Sequence, residues 1–434
     1  MTGAHSGTAV VVKRVDSGEA DTGEFRDLAR AAGYDVVSQV TQTRKEDPAY
    51  CIGEGKVAEL AQVVEALEAD TVLFDNSLGP YQTFNLGTEL PDHVQVLDRF
   101  RLILEIFGQR ARTKKAQLQV ELATLRYELP RVEAKTSLAK RDERPGFMGL
   151  GEYDESREQD IKKRISRIRD ELETIEETDE HRREQRRESG FDLVALAGYT
   201  NAGKSTLLRR LARDLDVDEN EDRHPDLDTT AESEDRLFTT LGTTTRRMDM
   251  DSRNVLLTDT VGFVSNLPHW LVESFKSTLS EVYRADLVLL VVDVSDPIDE
   301  IHEKLVTSHD TLYERNEAPI VTVLNKVDKV DEAELAEKRR ALSTLAPNPV
   351  AVSGMEDLNV ESLKARIDTE LPPYEHERLV VPMTDDTMSF VSWVHDHARV
   401  EEVDYGEQVV LEFEARPAVV ERARAKAGEL AQPA

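Results

Sequence analysis

Eight residues, Gly198-Tyr199-Thr200-Asn201-Ala202-Gly203-Lys204-Ser205, lie between the apolar run "FDLVALA" and the helix-forming "TLLRRLA". A phosphate chain needs several backbone N–H groups converging on it, and a tight loop with glycines at this spacing supplies them. A helix beginning near Lys204 adds the positive end of its dipole. Lys204 would neutralise the outer phosphates, and the Ser205 hydroxyl would bind Mg²⁺.

A phosphate loop does not choose its base. Further along, "APIVTVLNKVDKV" ends an apolar run in Asn325-Lys326-Val327-Asp328. Guanine offers N1–H and an exocyclic amine on one edge, and the Asp328 carboxylate would accept both. Adenine has no such pair of donors, and its N1 would face the carboxylate unpaired. Asn325 would tie this segment to the phosphate loop, and the Lys326 stem would cover the base. The backbone of Ser353, Gly354 and Met355, in "VSGMED", would meet guanine O6. The expected ligands are therefore GTP and GDP.

"NVLLTDTVGF" carries Asp259-Thr260-Val261-Gly262. A D-x-x-G turn at a strand end places Asp259 near Mg²⁺ and lets the Gly262 N–H reach a γ-phosphate. Many proteins of this architecture follow the turn with a glutamine that orients the attacking water. Phe263 stands here and has no group for that task. A threonine should complete the Mg²⁺ shell, and "LFTTLGTTTRRM" offers Thr239, Thr240, Thr243, Thr244 and Thr245, among which physics alone does not choose.

Elements that would position these residues follow from texture. Residues 1–110 alternate β-branched runs with helical stretches, as a small α/β domain does. Residues 111–188 read as a long helical hairpin, with Pro130, Pro145, Gly146, Gly149 and Gly151 as helix breakers. Residues 189–372 return to strand–helix alternation, a nucleotide-binding α/β domain with a mostly parallel sheet and helices on both faces. The motif loops fall at the carboxyl ends of its strands, where open sheets bind ligands. Residues 373–434 form a small α+β appendage.

The chain of 434 residues has 55 Lys+Arg against 86 Asp+Glu, a net charge of −31. The acids are spread along it, which suits a salt-adapted surface and does not exclude an RNA partner. Residues 214–235 hold 11 Asp+Glu and one arginine, read as a solvated insertion. Residues 110–145 hold 10 Lys+Arg against 5 Asp+Glu, a basic contrast suited to phosphate backbones. One cysteine, Cys51, permits no internal disulfide, and the apolar run at 285–294 is too short to span a bilayer. With no basic leader before an apolar core, the expectation is a soluble cytoplasmic protein, a monomer rather than a stable oligomer.

The motifs, together with "CIGEGKVAEL", "VLFDNSLGPYQTFNL", "QVLDRFRLILEIFGQRARTKKAQLQVELATLRYELPR" and "GLGEYDESREQDIKKRI", resemble the HflX family of the Obg–HflX group of translation-associated GTPases. The stretch 95–131 is the most specific, since ordinary GTPases have nothing like it. The resemblance implies GTP hydrolysis coupled to the ribosome, chiefly its large subunit, in subunit splitting, rescue or biogenesis, with RNA contacts through residues 110–150. It places the Mg²⁺ threonine at Thr240, within a first switch of Phe238, Thr239, Thr240, Leu241 and Gly242. Lys204, Thr240 and Gly262 are then the catalytic set, with Ser205 and Thr240 holding the metal. A hydrophobic residue at Phe263 is the family's habit. Departures are Gly242-Thr243 where the family usually has Asp-Pro, Leu150 and "YDESREQD" in the helical domain, the acidic insertion, and Gly354 where alanine is usual. An alternative reading is a nucleotide-gated RNA-binding protein in which hydrolysis is incidental.

Overall fold

The computed structural model describes residues 7–142, 151–212, 244–250, 253–260, 262–263, 271, 281–313, 318–384 and 386–430. Phe238 to Gly242, Val261 and the acidic stretch 214–235 lie outside the described residues. Two compact units form. The described residues through Thr174 make one; those from Ile175 on, Leu271 aside, make the other.

In the first unit the β-branched runs become β1 (Thr8–Val15), β2 (Asp35–Thr43), β3 (Thr71–Phe74) and β4 (Gln95–Asp98), a parallel sheet of order β2-β1-β3-β4. Between and after them run α1 (Gly23–Ala31), α2 (Glu54–Ala66), α3 (Pro80–Glu89) and α4 (Arg99–Arg110). Val57, Leu60 and Val64 of α2 and Leu86 of α3 seal one core with Val10, Val12 and Val72. Helix α4 follows β4 with no linker because the Asp98 carboxylate caps it, accepting the Arg101 N–H at 2.9 Å.

Two long polar helices come next, α5 (Lys114–Asp142) and α6 (Gly151–Glu188). Arg164 forks onto both oxygens of Glu121 at 2.6 and 2.7 Å, joining them. One expectation is corrected: Pro130 lies inside α5 and does not end it. Proline there forfeits one helix hydrogen bond and crowds the preceding turn, a cost of about 3 kcal/mol or more. Packing on either side offsets it. Tyr127 and Val132 are buried, and the Arg131 guanidinium sits 3.4 Å from the Tyr127 ring centroid. The same guanidinium donates to Leu78 O at 2.8 Å and pairs with Asp98 at 3.2 Å.

The second unit is built on β5 (Asp192–Gly198), β6 (Thr244–Asp249), β7 (Asn254–Asp259), β8 (Leu287–Asp293), β9 (Ile320–Asn325) and β10 (Val350–Ala351). Their order is β10-β9-β8-β5-β7-β6, parallel except for β6 against β7. Helices α7 (Lys204–Leu211), α8 (Ile298–Tyr313), α9 (Glu332–Ala341) and α10 (Val360–Glu370) accompany the sheet. The chain leaves β5, pairs β7 on one side of it, then crosses to β8 on the other. That reversal opens a crevice at the carboxyl end of β5.

The appendage is an antiparallel sheet of β11 (Glu375–Pro382), β12 (Arg399–Tyr405) and β13 (Gln408–Ala415), ordered β11-β13-β12, with α11 (Thr387–His397) and α12 (Pro417–Leu430). Alternate residues of β13, Val409, Leu411, Phe413 and Ala415, face Phe390, Val394, Val419 and Ala423 of those helices. The appendage joins the larger sheet through Arg416. Its guanidinium donates to Asp192 at 3.0 Å, to both oxygens of Asp286 at 2.8 and 3.0 Å, and to Phe191 O at 2.7 Å. Asp192 is fully buried and also accepts from Tyr374 and Arg253. Burial pushes its carboxyl up against the pull of Arg416 and Arg253, whereas Asp286, partly buried, is drawn down by its bonds to Arg416.

Removing one partner from such a cluster strands buried charge. Arg416→Met is expected to lower unfolding stability by about 3–5 kcal/mol. Arg424→Met, which breaks a surface pair with Glu377, should leave it nearly unchanged. Urea unfolding of the two variants measures the contrast.

Candidate functional site

Gly198 ends β5 with φ +135, and a side chain there would strike Val291 O of β8. Gly203 opens α7 at φ +91, and a Cβ would collide with the Asn325 amide. Asn201 between them takes φ +63, a conformation asparagine tolerates better than most residues. The loop is thus folded by backbone shapes that few side chains allow, and it is braced from outside. Asn325 Nδ2 donates to Ala202 O at 2.8 Å, and Asn325 Oδ1 accepts the Gly354 N–H at 3.0 Å. One buried amide therefore ties the phosphate loop to the 353–355 loop.

Lys204 points back into this loop. Its ammonium donates to Gly198 O at 2.9 Å and Tyr199 O at 2.7 Å and is nearly inaccessible to water. Burial pushes its pKa down to about 8, against the pull of Asp259. Ser205 Oγ donates to Asp259 Oδ2 at 2.7 Å, bringing a hydroxyl and a carboxylate from two motifs together. Thr260, between Asp259 and the glycine, donates its hydroxyl to Leu196 O at 2.6 Å inside the sheet, so that group is committed to the fold.

The D-x-x-G turn is pressed onto the phosphate loop. Phe263 N donates to Gly198 O at 3.0 Å, and Thr200 N donates to Phe263 O at 2.9 Å, a two-bond bridge. A Cβ on Gly262 would lie 2.8 Å from the Lys204 ammonium and from Thr200 Cγ2, so only glycine fits. The Phe263 side chain is 5 % exposed, packed away and not presented to solvent.

On the base side, Lys326 adopts φ +66 and its ammonium meets Asp293 Oδ2 at 2.6 Å. Asp293 is partly buried, yet its carboxyl is held below the usual range by Lys326 and by Ser295, whose N–H and hydroxyl both donate to it. Asp328 is exposed at the end of β9, in the short 3₁₀ turn Val327–Lys329. Ser353 is buried, and its hydroxyl accepts the Glu356 N–H at 3.1 Å; Met355 is exposed.

Two positions escape a reading by motif. Asp293 ends the apolar run of β8 opposite Asn325 in register, and that register is its only signal. Arg210 on α7 reaches the 354–357 segment, and nothing in its spacing announces it.

A phosphate loop at the crevice of a parallel sheet, a D-x-x-G turn against it and an N-K-x-D segment braced to it define a P-loop GTPase. Three family models match in succession: the GTP-binding GTPase N-terminal model over 19–108, the GTP-binding GTPase middle region over 110–186, and the 50S ribosome-binding GTPase model over 193–326. The GTPase HflX of Thermococcus kodakarensis is 42% identical, over 89% of this chain and 86% of that protein. That of Methanocaldococcus jannaschii is 39% identical over 92% and 94%, and that of Thermofilum pendens 38% over 97% of each. The chain belongs to the HflX family of GTPases, and it is an enzyme that binds and hydrolyses GTP.

Two tests follow from the loop. Gly203→Ala, strained in φ and blocked by Asn325, is expected to weaken GDP binding by at least about tenfold. Gly354→Ala places its Cβ at an ordinary 3.5 Å from Leu207 and should stay within about twofold. Titration with a fluorescent guanine nucleotide distinguishes them.

The second concerns Lys204. Bound phosphates would raise its pKa above the free value of about 8, so binding takes up a proton above that pH. GDP affinity should therefore fall as pH rises past 8, and calorimetry at pH 8.5 in buffers of different ionisation heat should register the uptake. Lys204→Gln should bind weakly and show none.

Proposed function

We propose that this GTPase acts on the ribosome, chiefly the large subunit, in the cytoplasm, and that its hydrolysis is governed by that partner. The observation that carries the reading is the state of Phe263. The residue after Gly262 is buried and its backbone is bound to the phosphate loop, so it offers no group to position an attacking water. Either another element of the chain supplies that group or hydrolysis is slow until a partner does, and this reading assigns it to the partner. The partner's class is suggested by the match of residues 193–326 to a model described as a 50S ribosome-binding GTPase. It is supported by the basic contrast of residues 110–145.

Within the site, Gly198 to Ser205 hold the phosphates, Asn325 to Asp328 read the guanine edge, and Ser353 to Met355 meet O6. Asp259, Thr260, Val261 and Gly262 form the γ-phosphate turn. Ser205 and Asp259 present hard oxygen donors side by side, which fits Mg²⁺, an ion that takes few protein ligands and shares phosphate oxygens. Ser205 and Thr240 would hold it, and when bound it would neutralise charge developing on the phosphates. Phe238 to Gly242 make the first switch in this reading. Division into domains at residues 110, 188 and 372 belongs to the same proposal. No helix among the described residues is long and apolar enough to cross a membrane.

GTP and ATP turnover in molar potassium chloride, with and without large ribosomal subunits from a salt-matched source, tests the proposal. GTP-selective turnover that rises with subunits and disappears in Lys204→Ala is expected. Turnover indifferent to subunits would sink the coupling and favour an RNA-binding protein with incidental hydrolysis.

A further inference from the structure

We infer that Arg210, which belongs to none of the motifs, is a specificity-determining positioning residue for guanine. It lies on the phosphate-loop helix α7, six residues after Lys204, and its guanidinium grips the 354–357 segment with all three nitrogens. Nε donates to Gly354 O at 3.2 Å, Nη2 to Met355 O at 2.8 Å, and Nη1 to Asp357 Oδ2 at 3.2 Å. The Arg210 side chain is 16 % exposed, so these bonds are partly shielded from water.

The segment it holds is also shaped by its own turn, in which the Ser353 hydroxyl accepts the Glu356 N–H at 3.1 Å and Asn359 Nδ2 donates to Ala351 O at 3.0 Å. Asp357 and Asn359 both take left-handed backbone angles, φ +61 and +59, in a chain of L residues. Ser353 and Leu358 close the loop by a pair of backbone bonds, and Asn325 holds the Gly354 N–H. None of these bonds fixes the peptide between Gly354 and Met355. Arg210 does, through the Gly354 carbonyl. In a trans peptide the C=O and the following N–H point in opposite directions. Pinning the carbonyl toward α7 therefore sets the direction of the Met355 N–H on the other side. That amide belongs to the loop expected to meet guanine O6. A planar fork with several donors can hold two carbonyls and a carboxylate together, which an ammonium does less well.

The inference rests on the reading of residues 353–355 as the O6-facing loop, and its test separates the two. Three diphosphates are compared by competition against a fluorescent GDP analogue: GDP, IDP and 6-thio-GDP. IDP lacks only the 2-amino group, which Asp328 would read. 6-Thio-GDP keeps both donors of that edge and replaces O6 with sulfur, a weaker and larger acceptor. In Arg210→Met the preference for GDP over 6-thio-GDP is expected to fall by about fivefold or more, as loss of one charge-oriented hydrogen bond implies. The preference for GDP over IDP should be unchanged. Arg210→Lys should show a smaller fall in the same ratio, and it serves if Arg210→Met does not fold. Equal falls in both ratios would reduce Arg210 to a structural brace and overturn the inference, as would no change in either. The wild-type protein is the separate control: if it does not prefer GDP over 6-thio-GDP, the O6 reading fails and the inference with it, whereas a wild-type preference that Arg210→Met leaves intact overturns the inference alone.

Discussion

One buried ammonium sets the terms for the nucleotide-binding unit. Lys204 is almost wholly removed from water, and an unsolvated cation is costly unless oxygens surround it. The loop supplies such oxygens itself, from the carbonyls of Gly198 and Tyr199. This requires the chain to curl around its own lysine, which it does through positive φ at Gly198, Asn201 and Gly203. Each neighbouring feature keeps that curl in place: Asn325 behind Ala202, the Phe263 bridge on Gly198 and Thr200, and the close approach of Gly262. The cation that would meet a phosphate is therefore held in place by the fold itself.

The same sheet carries a second polar edge. β5 ends in the phosphate loop and begins at Asp192, which is buried among Arg416, Arg253 and Tyr374. Arg187, near the end of α6, reaches Asp286 and Arg284 O beside it. Arg183 in the same helix pairs with Glu281 at 2.6 Å. Apolar residues fill the strands between the two edges, so the last turns of α6 and the C-terminal appendage are anchored by charge at the end of the sheet opposite the phosphate loop. Such anchors hold geometry more than they add stability, because desolvation offsets most of what the ion pairs contribute.

Much of this was legible in the residues. The strand–loop–helix order around Gly198 to Ser205, the Asn-Lys-x-Asp segment at Asn325 to Asp328 and the turn at Asp259 to Gly262 are local patterns. Local chemistry dictates them: glycine where a Cβ has no room, lysine where charge must be met, carboxylate where donors arrive. The brace from Asn325 to the phosphate loop followed from chemistry as well, since a buried amide must find partners.

What the chain alone did not reveal is whatever depends on residues far apart meeting. Pro130 reads as a helix breaker, and only the contacts of Tyr127, Arg131 and Val132 let the helix continue. Asp293 looks like the end of a strand until register sets it beside Lys326. Arg210 looks like a charge on a helix surface until the fold brings residues 354–357 within its reach. Thr260 reads as part of a ligand-sensing turn, yet its hydroxyl is taken by Leu196. Local sequence determined which groups the site contains, because backbone shape and side-chain chemistry act over a few residues. Tertiary structure decided which of them are held, and by what, because hydrogen bonds and ion pairs act only between groups the fold has already made neighbours.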